Sequence, residues 1–134
     1  MQTIIIKAGK EKQLVRHHPW VFSGAIEKGS SNLESGPSRV VSDEGRFIAW
    51  GWYDEKSHIP LRLLSWHEEE TIDDAWFKRT IAESVMRRAS FFSDKQGGTT
   101  TFRIIYGEAD FLPGLVCDVY GTMLTITISA RIAW

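Results

Sequence analysis

The sequence predicts a strand-rich α+β fold, and three patterns carry that prediction. Between residues 38 and 66, short apolar runs of about six residues alternate with tight polar turns, the spacing of a small barrel or sandwich. From Ile72 to Phe92 the apolar period changes to that of one long amphipathic helix. From Met123 to Ser129 apolar and polar residues alternate, as in a half-buried strand.

Taken in order, Thr3 to Ile6 opens the chain as a strand, and Lys7 to Arg16 is basic and only weakly periodic. Pro19 has the fixed φ suited to a first helical position. Trp20, Val21 and Phe22 follow and Gly24 is a stop, so residues 19–24 are predicted as one helical turn. Ile26 to Gly36 is a loop rich in Gly, Ser and Asn. Strands are predicted at Ser38–Ser42, Arg46–Tyr53 and Ile59–Trp66, the first two joined by the turn Asp43-Glu44-Gly45. Pro60 sits near a strand start, where a missing N–H is tolerated. Trp50 and Trp52, two apart on one strand, share a face and are expected in the core.

Thr71, with Asp74 three residues on, reads as a capping-box-like helix start. Ile72, Trp76, Phe77, Ile81, Val85, Ala89 and Phe92 then predict a helix over 73–92. Its acidic residues lie at the positive end of the dipole, and Arg87 and Arg88 lie toward the negative end on a solvated face. Asp94 to Gly98 ends it. Strands follow at Thr99–Tyr106, Leu115–Val119 and Met123–Ser129.

Composition narrows the function. The 134 residues are 43% hydrophobic and 25% charged, the balance of a soluble globular chain of one domain or two small ones. No apolar run approaches the roughly 20 residues of a membrane span, and Met1 to Ile6 is too short for a signal peptide. The single cysteine, Cys117, excludes an internal disulfide, fits a reducing cytoplasm and reads as a small core residue. One Cys, four His and no Cys-x-x-Cys pair predict no metal site. The net charge is −1, but it is unevenly spread. Residues 1–30 hold five Lys/Arg against two Asp/Glu, residues 75–106 six against two, and residues 43–74 three against nine. Two basic segments flanking an acidic one can form a basic face, the electrostatic footprint of an RNA binder, or can be ordinary solvated charge.

Lys7, Lys10, Lys12 and Arg16 are candidates for phosphate contacts, which give affinity without sequence information. His17 and His18 can order the turn at Pro19 or face RNA. Trp20 and Phe22 can stack on bases, although a small domain needs large apolar anchors and at least one of them is expected in the core. Ser23 and Gly24 either admit a phosphate closely or end a helix. Arg62, between Leu61 and Leu63, points to RNA or to an acidic partner. Asp110, Pro113 and Gly114 form a turn, Pro presetting one dihedral and Gly permitting an unusual one.

Two stretches resemble a known family: Arg16-His17-His18-Pro19-Trp20-Val21-Phe22-Ser23-Gly24-Ala25-Ile26, and the run from Arg103 to Gly121 that contains Tyr106-Gly107-Glu108-Ala109-Asp110-Phe111-Leu112-Pro113-Gly114-Leu115. Both are similar to the bacterial S-adenosylmethionine-dependent methyltransferases that act on carbon 5 of cytosine in 23S ribosomal RNA. The resemblance implies a PUA-like pseudo-barrel over 1–68 and an incomplete small α/β domain, a helix with antiparallel strands, over 69–134. In the family a Rossmann-like methyltransferase domain follows. It implies ribosomal RNA as partner, with Lys7, Lys10, Lys12, Arg16, His17, Trp20, Ser23, Gly24 and Arg62 as RNA-binding residues. Asp110, Pro113, Gly114 and Asp118 become a possible target-nucleotide loop. S-adenosylmethionine belongs to the full-length family. Thr122 to Trp134 fits the family pattern poorly, and Lys95 to Gly98 follows a helix rather than the strand a cofactor loop requires. With the family's catalytic cysteine outside the matched stretches, neither cofactor nor methyl transfer is expected from this chain alone. The rival expectation is a non-RNA homodimeric module or a non-functional remnant, using an apolar patch of Ile126, Ile128, Ile132 and Trp134.

Overall fold

A computed structural model describes residues 2–27, 33–92 and 100–132. The predictions on Lys95–Gly98, on residues 28–32 of the 26–36 loop and on Trp134 lie outside those residues. The chain divides into two compact units, Met1–Thr71 and Ile72–Ile132. The architecture is mixed α+β and strand-rich.

In the first unit β1 (Gln2–Ile5), β2 (Trp20–Val21), β3 (Gly36–Val41), β4 (Phe47–Tyr53) and β5 (Leu61–Ser65) build one sheet in the order β1-β3-β4-β5-β2, with the helix α1 (Lys12–Val15) between β1 and β2 in the chain. β1 runs parallel to β3; the other pairs are antiparallel. Ile6 bridges Ile26, Lys7 N–H donates to the Ala25 carbonyl at 2.9 Å and Glu27 N–H to the Ile5 carbonyl at 2.8 Å. The chain after β2 is thereby drawn beside β1, so the sheet curls toward closure without becoming a closed barrel. Ile4, Ile6, Leu14, Val21, Val40, Ile48, Ala49, Leu61 and Leu63 fill the interior. Gly51 lets β5 approach: a Cβ there would stand 2.8 Å from Leu61 Cδ1 and 3.0 Å from the Arg62 carbonyl oxygen. Trp50 is buried as expected, its indole N–H donating to the Glu68 carbonyl at 3.2 Å, while Trp52 is half-buried beyond a register shift.

Residues 19–24 are not one helical turn. Trp20 and Val21 form the edge strand β2 on β5, and the single 3-10 turn comes later, at Ser23–Ala25. The φ of Pro19 suits an extended chain as well as a helix start, and pairing with β5 decides between them.

The second unit has α2 (Asp74–Arg87), α3 (Ala89–Phe92) and an antiparallel sheet of β6 (Thr101–Tyr106), β7 (Leu115–Tyr120) and β8 (Met123–Ile128) in that order. The helix cap is Asp73, whose carboxylate accepts the Trp76 N–H at 2.8 Å, rather than Thr71. The helix is interrupted at Arg88, where ψ swings to 11°. Its buried stripe also differs from the apolar pattern: Trp76, Phe77, Thr80 and Ser84 are buried, while Ile81 and Val85 are half-buried. The two hydroxyls are satisfied by carbonyls four residues back, Thr80 on Trp76 at 2.9 Å and Ser84 on Thr80 at 3.0 Å. Such small side chains let α2 lie close on β6. β8 departs further: all six of its residues are exposed. It is the sheet's edge, and the apolar row Leu124, Ile126 and Ile128 continues the face of Leu115 and Cys117 beyond what α2 covers.

Candidate functional site

In the first unit the predicted binding residues gather along α1 and the β2 edge. Four residues make α1 a single turn, so its end must be fixed by tertiary contacts. The Trp66 indole N–H donates to the Leu14 carbonyl at 2.7 Å. His17 takes the left-handed conformation, φ 66°, in the position after the cap that usually holds glycine. Its N–H reaches the Leu14 carbonyl at 2.9 Å, and the His18 N–H the Gln13 carbonyl at 3.1 Å, completing a Schellman closure. The His17 ring lies on Trp66 with centroids 4.6 Å apart. His17 thus closes α1 and packs its ring on Trp66.

The closure presents the basic segment outward. Lys12 and Arg16 stand four apart and both are exposed, on one side of the turn. Lys10 is exposed just before it, its N–H on the Lys7 carbonyl at 3.0 Å. Lys7 Nζ donates to the Gly24 carbonyl at 3.0 Å, which joins the first strand's end to the Ser23-Gly24 turn. Ser23 and Gly24 are both exposed, and a Cβ at Gly24 would meet nothing within 4 Å.

β2 then sets a cross-strand pair, Trp20 opposite Arg62. Arg62 is pinned through Nη1, which donates to Ser57 Oγ at 3.0 Å and to the Ile59 carbonyl at 2.8 Å. The His18 ring stands edge-on to Trp20 at 6.2 Å, its Nδ1 accepting the Trp20 N–H at 3.3 Å. Neither aromatic of this segment is core: Val21 is 1% exposed, whereas Trp20 is 39% and Phe22 54% exposed. That corrects the expectation that a small domain would bury at least one of them. Val21 and the sheet's own aliphatics supply the anchor instead.

Asp110, Pro113, Gly114 and Asp118 belong to the second unit. Asp110 is 2% exposed. It accepts Arg88 through Nη1 at 3.0 Å and Nη2 at 2.8 Å, Arg87 Nη2 at 2.9 Å and the Tyr106 N–H at 2.7 Å. Burial pushes its carboxyl up, but the hydrogen bonds from Arg88, Arg87 and the Tyr106 amide outweigh it and hold it below the ordinary carboxylate range. Arg87 and Arg88 are therefore not merely a solvated helix face. Pro113 is fully buried, and Gly114 has φ 78° with Ala130 Cβ only 2.3 Å from where its own Cβ would stand. Asp118 faces Arg103 across β6–β7, accepting Nε at 2.7 Å and Nη2 at 3.0 Å, and those bonds hold its carboxyl low. Asp110 and Asp118 are both held by arginines of the chain. Cys117 is buried, and burial pushes its thiol up, the opposite of an activated nucleophile.

Among the described residues no group of three or more His, Cys, Asp and Glu is placed to hold a metal ion, and no helix is long and apolar enough to cross a membrane. The passage from β5 into α2, Trp66 to Asp73, holds no glycine, and that into α1 holds only Gly9. Neither is the glycine-rich strand-to-helix turn that cradles a nucleoside cofactor.

Residues 4–66 match the family described as PUA-like domain. Over 122 residues the chain is 36% identical to the ribosomal RNA large subunit methyltransferase I of Pseudoalteromonas translucida, covering 90% of this chain and 30% of that protein. The protein of the same name from Klebsiella pneumoniae is 32% identical over 126 residues, covering 93% and 31%. Among solved structures, a protein assigned as an S-adenosylmethionine-dependent methyltransferase from Streptococcus mutans superposes with a TM-score of 0.76 at 21% identity, over 94% of this chain and 32% of that one. At that identity the likeness shows the fold. The chain spans about 30% of the length of the curated relatives it matches. Residues 4–66 are thus a PUA-like domain, in a chain similar over nine-tenths of its length to about 30% of the ribosomal RNA large subunit methyltransferase I of Pseudoalteromonas translucida.

Proposed function

We propose that this chain is the RNA-binding N-terminal portion of a methyltransferase of large-subunit ribosomal RNA, acting in the cytoplasm. The observation that carries the reading is the basic segment Lys7, Lys10, Lys12 and Arg16, set by the His17 closure beside the exposed β2 edge inside a PUA-like domain. In this reading those four side chains contact phosphates. His17 holds the turn, Ser23 and Gly24 offer backbone at an open surface, and Arg62 orients Trp20. Asp110, Pro113, Gly114 and Asp118 shape the second unit's loop. Methyl transfer and S-adenosylmethionine belong to the length of the relatives that this chain does not span.

Titration of the chain with a ribosomal RNA fragment by fluorescence anisotropy, at several salt concentrations, tests the reading. Affinity should fall linearly in log–log with salt, and Lys12→Ala and Arg16→Ala should each lower the slope by about 0.7 to 0.9. No binding at low salt would sink it.

A second reading, a self-associating module without RNA affinity, has one observation in its favour. β8 is an exposed edge whose run Leu124-Thr125-Ile126-Thr127-Ile128 is chemically symmetric about Ile126, so antiparallel pairing with a second copy would align apolar with apolar and Thr with Thr. Concentration-dependent mass by sedimentation, with no RNA affinity, would favour it.

A further inference from the structure

We infer that the outer edge of β2 recognises unpaired nucleotides, one base stacking between Trp20 and Phe22. The inference rests on the RNA-binding reading above and narrows its substrate to single-stranded RNA.

Trp20, Val21 and Phe22 are extended, Phe22 having φ −85° and ψ 155°. Side chains of an extended chain alternate, so Val21 turns into the core while the aromatics on either side turn out. Two residues of extended chain span about 6.6 Å, close to twice the roughly 3.4 Å rise between bases on one strand. Rings set that far apart leave room for one base between them. Trp20 is held in place by its backbone bond to His18 and by the edge-on His18 ring, and Arg62 stands as its cross-strand neighbour. The Trp20 half of the platform is therefore ordered before any ligand arrives, which limits the entropy lost on binding.

Single exposed apolar side chains are ordinary. These two are exposed at successive outward positions of a sheet edge, in the same unit as four exposed or half-exposed cations on Lys7–Arg16. Aromatic faces beside a cationic strip are the two components of single-strand binding, stacking and backbone attraction. A duplex could use only the second: its base faces are stacked within the helix, and its major groove is too narrow for side chains. Stacking on Trp20 and Phe22 thus discriminates where the lysines cannot.

The test compares a labelled single-stranded RNA of about 12 nucleotides with a blunt duplex of the same sequence, by fluorescence anisotropy at one salt concentration. The chain, Trp20→Ala, Phe22→Ala and the conservative Trp20→Phe are measured, with circular dichroism melts confirming that each is folded. The single strand should bind more tightly. Phe22→Ala and Trp20→Ala should each weaken it by roughly 5- to 150-fold without changing duplex affinity, and Trp20→Phe should retain most of it. Equal affinity for both RNAs, or alanine variants that lose neither or lose both in proportion, would overturn the inference and leave the RNA-binding reading standing. Absence of binding to either RNA would overturn both. Should Trp20→Ala not fold, Phe22→Ala and Trp20→Phe still decide the matter.

Discussion

Asp110 holds Arg88 end-on, its two carboxylate oxygens 3.0 and 2.8 Å from the two terminal nitrogens of one guanidinium. The arginine ends α2 and the aspartate closes the 3-10 turn after β6, so the pair ties helix to sheet within the second unit. Breaking a buried pair by removing one partner leaves an uncompensated charge, which costs roughly 3–5 kcal/mol. Because Arg88 is partly exposed, Asp110→Asn should fall at the lower end, about 3 kcal/mol. Urea denaturation followed by circular dichroism measures it, and a loss under about 1 kcal/mol would mean that the pair behaves as a surface bridge.

The same carboxylate predicts an acid limb of stability. Its folded pKa lies below the ordinary value, so its contribution is present at neutral pH and is lost as pH falls below about 4. Urea midpoints at pH 6, 5, 4 and 3 should fall more steeply for the wild type than for Asp110→Asn below that point. Parallel curves would show that Asp110 titrates alike in both states. Asp118 contributes in the same direction in both proteins and cancels in the comparison.

His17 occupies a left-handed position, φ 66°, while stacking on Trp66. His17→Gly removes backbone strain but also the ring contact, worth about 0.5–1.5 kcal/mol, so stability should change by less than about 1 kcal/mol. His17→Val loses the ring and adds β-branching at positive φ, a genuine outlier conformation, and should cost about 2 kcal/mol. Thermal melts that rank Val equal to Gly would show that the closure is not made as described.

How far such features are legible in sequence depends on where the partner lies. The strands β3, β4 and β5 and the long helix follow from period and turn chemistry, because those signals are local. The role of Arg87 and Arg88 is not local: Asp110 lies 22 residues beyond Arg88, and nothing near the arginines distinguishes a clamped pair from a solvated one. β2 was obscured because Pro19 tolerates either a helix start or an extended chain, and the pairing of Trp20 with Arg62 decides. Alternation in β8 tells which face is apolar but not whether anything covers it. The family motifs locate the α1–β2 region and the Asp110 loop. They do not disclose that His17 is a helix closure or that Phe22 faces outward.

Gly114 and Gly121 have similar positive φ, 78° and 62°, but different surroundings. A Cβ on Gly114 would lie 2.3 Å from Ala130 Cβ and 2.9 Å from the Ala130 amide, and the Gly114 carbonyl accepts the Ser129 N–H at 2.8 Å. Gly121 is open. Gly114→Ala should therefore cost roughly 2–4 kcal/mol, strain plus overpacking, and Gly121→Ala only about 1 kcal/mol. Equal losses in urea unfolding would place the whole cost in the backbone and none in the contact.

Ile126 is 60% exposed on β8, and its cross-strand neighbour Cys117 on β7 is buried. Burial decides what a charge does at each position. Ile126→Lys exposes an ammonium to water at an unprotected edge, the device natural sheets use against edge pairing, so the melting temperature should hold within about 2 °C while solubility rises. Ile105→Lys, on the covered part of the same face, forces a cation into the core, where it costs several kcal/mol. Thermal melts and precipitation limits measured side by side give the contrast. If Ile126→Lys destabilised the isolated chain as much as Ile105→Lys, β8 would have to be covered in solution rather than exposed, and the apolar row of Leu124, Ile126 and Ile128 would belong to a buried interface.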